Sequence, residues 1–335
     1  MLIGLCGGIC AGKNTVANYL VLHHGFKRLF LREQVNDGDI SDKVEFSVVS
    51  SENSFDTTDQ LLDFVTKNWQ ERWVTIDIHS QVTLDKYIRR PFFILISVDA
   101  PVYLRWSRWQ AMQHKSTGNH ISLEEFLIKS DHYLYGSASG QTLISRATIC
   151  LLNTSSSLAH LYATLGKLDL ANENRLRPNW DQYFMQLASL AAQRSNCMKR
   201  RVGCVLAREN RVISTGYNGT PRGMKNCTDG GCQRCNEGQR SGIDLGTCLC
   251  IHAEENALLE AGRERIREDS ILYCDTCPCL TCSIKITQVG ISEVVYSQSY
   301  SMDKETAEVF QKAGIKLRRF IAPPSGTICL EELDH

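Results

Sequence analysis

Between residues 180 and 320 the apolar positions alternate between helical and strand periods. Residues 180–195 repeat at the helical spacing, with Tyr183, Leu187, Leu190 and Ala191 on one face and Asp181 near the start. Segments 201–207 and 211–217 read as two strands joined by a tight Glu209-Asn210 turn. A long Gly- and Cys-rich loop follows. It leads into Ala-Glu-Glu-Asn-Ala-Leu-Leu-Glu-Ala, a helix-forming run that His252 opens. Strands at 270–274, 292–296 and 316–320 then alternate with helices at 279–289 and 303–313. The order α-β-β-α-β-α-β-α-β predicts a three-layer α/β/α sheet.

The first half has its own pattern. Residues 1–5 form a short apolar strand that runs into Gly7-Gly8-Ile9-Cys10-Ala11-Gly12-Lys13-Asn14-Thr15 and then an amphipathic helix start. This is G-x-x-x-x-G-K between strand and helix, the setting of a phosphate-cradling P-loop in which Gly7, Gly12 and Lys13 contact nucleotide phosphates. Asn14 stands where a Ser or Thr normally ligates magnesium, so a P-loop kept only as scaffold stays open. Residues 73–78 read as a strand ending at Asp77, a Walker-B-like acid. Residues 92–98 are almost continuously apolar, as a buried parallel strand should be. The basic helical stretch 104–109 lies where monophosphate kinases place arginines, although a solvated helix face reads equally well. Polar residues 34–60 suggest a loop insertion. The expected division is a P-loop nucleotide-kinase-like α/β domain at 1–172 and a second α/β domain at 173–335, with the junction near 170–178.

Length and charge narrow the function. With 335 residues and 43% hydrophobic content, each half can bury a core. Formal net charge is zero and the pI about 7.1, which favours a small substrate over a polynucleotide. No secretory pattern and no membrane-length apolar run is present, so the expected location is cytoplasmic or nuclear. Of the 15 cysteines, eleven fall between Cys197 and Cys282, which points to metal ligation rather than disulfides.

Chemistry concentrates at His252-Ala253-Glu254 and Pro278-Cys279-Leu280-Thr281-Cys282. One His and two Cys hold zinc and leave its fourth position open, as a catalytic site requires. Glu254 is not a ligand and would carry protons. A purely structural zinc is the alternative, but it would not need Glu254. H-x-E…P-C-x-x-C is the signature of zinc nucleobase deaminases. With Gly216-Tyr217-Asn218-Gly219-Thr220-Pro221, Cys277-Pro278-Cys279 and Gly290-Ile291-Ser292-Glu293-Val294-Val295-Tyr296, residues 179–322 closely resemble the deoxycytidylate (dCMP) deaminase family. The match is to the long form, which has an N-terminal P-loop-like domain.

That resemblance implies a cytidine-deaminase-like fold and conversion of dCMP to dUMP and ammonia for thymidylate synthesis. It also implies a homo-oligomer, commonly a hexamer, activated by dCTP with magnesium and inhibited by dTTP. Zinc falls on His252, Cys279 and Cys282, and the proton shuttle on Glu254. Asn218, Arg263 and Tyr300 match nucleotide-contact positions, although Asn218 also reads as a turn residue and Arg263 as a surface charge. Lys199-Arg200-Arg201 is a second phosphate candidate. Some relatives carry a second, structural zinc. Cys197 and Cys227 match two of its ligands, and Cys232 and Cys235 would complete a four-cysteine site, with Cys248 and Cys250 as rivals. A deaminase acting on tRNA or single-stranded nucleic acid shares the zinc signature, but neutral charge and Tyr-Asn-Gly-x-Pro argue against it.

Overall fold

The computed structural model describes residues 1–32, 53–116, 122–136, 140–155, 157–238, 248–299, 303–324 and 326–330. The chain forms two compact units, residues 178–323 and residues 1–177 joined by the segment from Pro324 onward. In chain order the first unit runs β1 (Leu2–Cys6), α1 (Lys13–His24), β2 (Lys27–Arg28), β3 (Phe30–Leu31), β4 (Ser54–Phe55), α2 (Thr58–Lys67), β5 (Trp73–Thr75), α3 (Gln81–Ile88) and β6 (Phe93–Asp99). It continues with α4 (Val102–Ser116), α5 (Leu123–Tyr135), α6 (Gly140–Ser145), β7 (Ile149–Leu152) and α7 (Leu158–Leu168). The second unit holds α8 (Trp180–Ala192), β8 (Gly203–Arg208), β9 (Arg211–Tyr217), α9 (Gln233–Asn236), α10 (Ala253–Ala261) and β10 (Ile271–Thr276). After α11 (Leu280–Val289), β11 (Glu293–Gln298), α12 (Asp303–Lys312) and β12 (Lys316–Arg319), the chain returns to the first unit as β13 (Gly326–Cys329).

The first unit is built on an all-parallel sheet of order β13-β7-β6-β1-β5-β2. The apolar run at 92–98 is β6, hydrogen-bonded between β1 and β7 and buried from Phe93 to Val98. Burial on both faces explains why its sequence does not alternate. Three expectations need correction. The division at 172/173 gave the whole C-terminal end to the second domain, yet β13 pairs with β7, Gly326 opposite Ile149. This four-residue strand contributes one buried apolar side chain, Ile328, too little to show a period. Within the supposed loop at 34–60, residues 33–52 lie outside the described residues, but Ser54–Phe55 is a strand and Thr57 caps α2 through Gln60 N. The strand at Trp73 stops at Thr75, and the Asp77 carboxylate accepts from Leu31 N at 2.9 Å, a structural contact.

Between β1 and α1 the chain turns sharply at Gly7 (φ 137°) and Gly12 (φ 111°). A Cβ on Gly7 would stand 1.9 Å from Val98 O. Lys13 Nζ donates to Gly7 O (3.0 Å) and Gly8 O (2.9 Å), and Asn14 Oδ1 accepts from Arg28. From α4, Arg108 reaches Ala11 O at 3.2 Å, while buried Arg105 donates to Ala100 O and Ser130 Oγ. The basic stretch is therefore not a solvated face.

The second unit has a mixed sheet of order β12-β11-β10-β8-β9, with β10, β11 and β12 parallel and β8 and β9 antiparallel. Its hairpin turn places Glu209 and Asn210 at positive φ, as a two-residue turn that matches strand twist requires. Alternate strand residues face opposite layers. Val205, Ala207, Tyr273 and Val295 pack with Phe184 and Met185 of α8. Cys204, Leu206, Leu272 and Val294 pack with α10, Ile286 of α11 and Phe310 of α12. The result is the expected α/β/α sandwich. The buried stripe of α8, however, is Phe184, Met185, Ala188 and Ala192, while Tyr183 (43% exposed) and Leu190 (57%) face outward. Both stripes have helical spacing. Close approach selects the one with small residues, because a Cβ on Gly203 would lie 2.0 Å from Ala188 O and 2.4 Å from Ala192 N.

Candidate active site

Two helix starts meet on the same face of this sheet. His252 is the N-cap of α10 and Cys279 the N-cap of α11, both with extended backbone, and Cys282 lies in the first turn of α11. Each entry is fixed locally. Ile251 pairs with Gly219 through two backbone hydrogen bonds, and Asn256 Nδ2 donates to Tyr217 O at 2.9 Å. On the other side Thr306 Oγ1 donates to Pro278 O at 2.8 Å.

His252 Nδ1 stands 3.3 Å from both Cys279 Sγ and Cys282 Sγ. Tetrahedral zinc with Zn–S of about 2.3 Å and Zn–N of about 2.0 Å has an S···N edge of about 3.5 Å. The three donors therefore fit zinc, with Nδ1 as the imidazole ligand. Their chemistry fits as well. The Cys279 thiol is pulled down, first by its hydrogen bond with Cys282, which is itself pushed up by that bond, and further by those with His252 and Thr281. A helix N-terminus favours thiolate in the same sense. Glu254, 4% exposed, lines the same cavity, and burial pushes its carboxyl up to about 7 against the opposing pull of His252. An acid poised near neutrality can both accept and return a proton.

The cavity encloses about 770 Å³ including its open mouth, within the usual range for a small-molecule site. Asn218 lies in its wall and makes three side-chain hydrogen bonds. Its Oδ1 accepts from Ser195 Oγ (2.7 Å) and Val202 N (2.8 Å), and its Nδ2 donates to Arg200 O (2.7 Å). It thereby fixes the segment that brings Lys199 and Arg200 to the cavity. Arg200 also donates to Gln298 Oε1 at 3.0 Å. Arg263 does not line the cavity. It lies in the exposed turn after α10, at the opposite end of that helix from His252, where eleven residues of chain had carried it. Tyr300 lies outside the described residues. Gly7, Gly12 and Lys13 belong to the first unit. The sequence reading missed Arg234, Thr276 and Cys277 as lining residues. Cys277 adjoins the zinc motif, which was the available signal.

The remaining cysteines do not assemble as Cys197, Cys227, Cys232 and Cys235. Among the described residues, Cys197, Cys227, Cys235 and Cys250 bring their sulfurs within 4.8 Å of one another, and so do Cys232, Cys235, Cys248 and Cys250. The rivals Cys248 and Cys250 are therefore participants. Cys204 and Cys274 meet separately at 3.4 Å between β8 and β10 in the core.

The family profile "Cytidine and deoxycytidylate deaminase zinc-binding region" matches residues 178–298. The chain is 51% identical over 328 residues to the deoxycytidylate deaminase of Schizosaccharomyces pombe, covering 97% of this chain and 99% of the relative. It is 45% identical over 332 residues to the deoxycytidylate deaminase of Saccharomyces cerevisiae, covering 96% of each. With the deoxycytidylate deaminase of Homo sapiens it shares 33% identity over 147 residues, 42% of this chain and 80% of the relative. The two yeast relatives thus match both units.

Proposed function

The chain belongs to the deoxycytidylate deaminase family, and from that premise we propose that it hydrolyses dCMP to dUMP and ammonia, supplying thymidylate synthesis. The observation that carries this reading is the convergence of His252, Cys279 and Cys282 with a buried carboxyl at Glu254 in one cavity. Zinc held by the three donors supplies Lewis-acid activation of water at near-neutral pH. Glu254 takes the proton released by the water, gives it to ring N3, and then moves a proton to the departing amine. Burial, which pushes its carboxyl up towards neutrality, suits both transfers. Lys199 and Arg200 at the cavity wall are suited to the 5′-phosphate, and Asn218 positions them.

Several finer features belong to the same reading. The first unit is a P-loop nucleotide-kinase-like domain, supported by its parallel sheet and the β1–α1 turn at Gly7, Gly12 and Lys13. The enzyme acts as a homo-oligomer, activated by dCTP with magnesium and inhibited by dTTP, in the cytoplasm or nucleus. No helix among the described residues is long and apolar enough to cross a membrane. The test is deamination of dCMP, CMP, deoxycytidine and a short oligonucleotide, each with and without dCTP–magnesium or dTTP. Preference for dCMP with opposite effects of the two triphosphates is expected. Comparable turnover of the oligonucleotide would overturn the substrate assignment.

A further inference from the structure

The described parts of the segment from Gly219 to Ile251 line the catalytic cavity through Arg234, Cys235, Cys248 and Cys250. Among the described residues, Cys227, Cys232, Cys235 and Cys250 cluster with Cys197 and Cys248 against them, and no aliphatic or aromatic side chain joins that cluster. Regular structure among its described residues comprises one turn at Cys227–Asp229 and the four-residue α9.

We infer that the six cysteines hold two zinc ions in one binuclear cluster, with Cys235 and Cys250 bridging. Cys197 and Cys227 complete one tetrahedron and Cys232 and Cys248 the other. The two four-sulfur sets share Cys235 and Cys250, so they are tetrahedra joined along an edge. The sulfur spacings fit that solid. Cys197–Cys235 is 3.7 Å, Cys235–Cys248 3.8 Å, and both Cys232–Cys248 and Cys235–Cys250 are 4.0 Å. With Zn–S of about 2.3 Å, a regular tetrahedron has S···S edges of about 3.8 Å. A disulfide needs about 2.05 Å, and all six are free.

A single ion accounts for the arrangement poorly. In either set it leaves two neighbouring thiols with no metal, Cys232 and Cys248 at 4.0 Å or Cys197 and Cys227 within 4.8 Å. A second ion requires no further residue. Six thiolates with two zinc ions share this stoichiometry with the Zn₂Cys₆ modules. Donors already point at the sulfurs. Met198 N donates to Cys227 Sγ and Leu249 N to Cys232 Sγ, each at 3.4 Å, and Asn236 Nδ2 donates to Cys227 Sγ at 3.8 Å. Such bonds stabilise metal-bound thiolate. Six thiolates against two divalent ions leave a net charge of −2, and Arg234 is buried beside Cys235. Each ion binds with release of the thiol protons and without redox change.

The cluster also shapes the catalytic cavity, since Cys197, Cys235, Cys248 and Cys250 line it together with His252 and Glu254. This inference concerns metal content and does not depend on the substrate reading. The test is elemental analysis and native mass spectrometry of the full chain for zinc, iron and copper. Three zinc ions per chain are expected, one at His252, Cys279 and Cys282 and two in the cluster. Cys248→Ser should remove one zinc and Cys235→Ser two, because the second substitution cuts a bridge. Cadmium-113 substitution gives an independent readout, with two all-thiolate resonances split by mutual coupling through the shared sulfurs. Wild-type protein with two zinc ions, iron or copper in the cluster, or uncoupled cadmium resonances would overturn it. If the serine variants fail to fold, the wild-type count and cadmium spectrum still decide.

Discussion

Replacing Gly216 by alanine should disable the zinc site without touching a ligand. Gly216 lies in β9 opposite Cys204, on the sheet face that carries α10. A Cβ there would stand 2.1 Å from Ala253 O and 2.5 Å from Ala257 N, both backbone atoms of α10. A tolerable C···O contact is about 3.3 Å, so the helix must retreat by about 1 Å. Overpacking of this kind costs about 1–3 kcal/mol. The retreat carries His252 and Glu254 away from Cys279 and Cys282, which belong to α11. Misplacement of reacting groups by about 1 Å lowers rate by about 10²-fold. Gly203→Ala is the matched control. Its Cβ would press on α8, on the other face, with a comparable 2.0 Å clash. Both variants should lose similar stability to urea, but only Gly216→Ala should also lose zinc content and dCMP turnover. If Gly216→Ala kept wild-type zinc and kcat while showing the stability loss, the seat of α10 would not control the site.

Other outcomes follow from the same geometry. Glu254→Gln should keep its catalytic zinc and lose about 10²–10⁴-fold in kcat, read by metal analysis beside a dCMP assay. Cys279→Ala should lose both that zinc and activity, since it removes one of three donors. Asn218→Ala should raise KM for dCMP more than it lowers kcat, because it frees the Lys199–Arg200 segment but leaves the zinc donors in place. The carboxyl of Asp181 is held below its ordinary value of 3.8 by hydrogen bonds from Arg318, at 2.6 and 3.1 Å. A depressed carboxyl contributes stability that is present above the unfolded value and lost as pH falls through the folded one. Urea midpoints should therefore fall below about pH 4 more steeply for wild type than for Asp181→Asn.

What the sequence disclosed depended on the distance over which the deciding interaction acts. His252, Glu254, Cys279 and Cys282 were legible because each pair lies within one helical turn, and Pro278 and the Ala-Glu-Glu run mark the two helix starts. The layer order was legible for the same reason, since strand and helix periods are local. The buried face of α8 was not. Tyr183–Leu187–Leu190 and Phe184–Ala188–Ala192 are both periodic stripes, and the choice is made by Gly203, which lies in a different element. Arg263 failed by a related route, because counting residues from His252 follows the helix axis away from the cavity. The cysteine partition failed most instructively. Cys232 and Cys235 do share one four-sulfur set, as a C-x-x-C suggests, but Cys235 also belongs to the set of Cys197 and Cys227. A reading that assigns each thiol to one metal cannot express a shared sulfur. Shared ligands also suit a cysteine-lined wall of the active site, because each bridging residue ties two parts of the chain together at once.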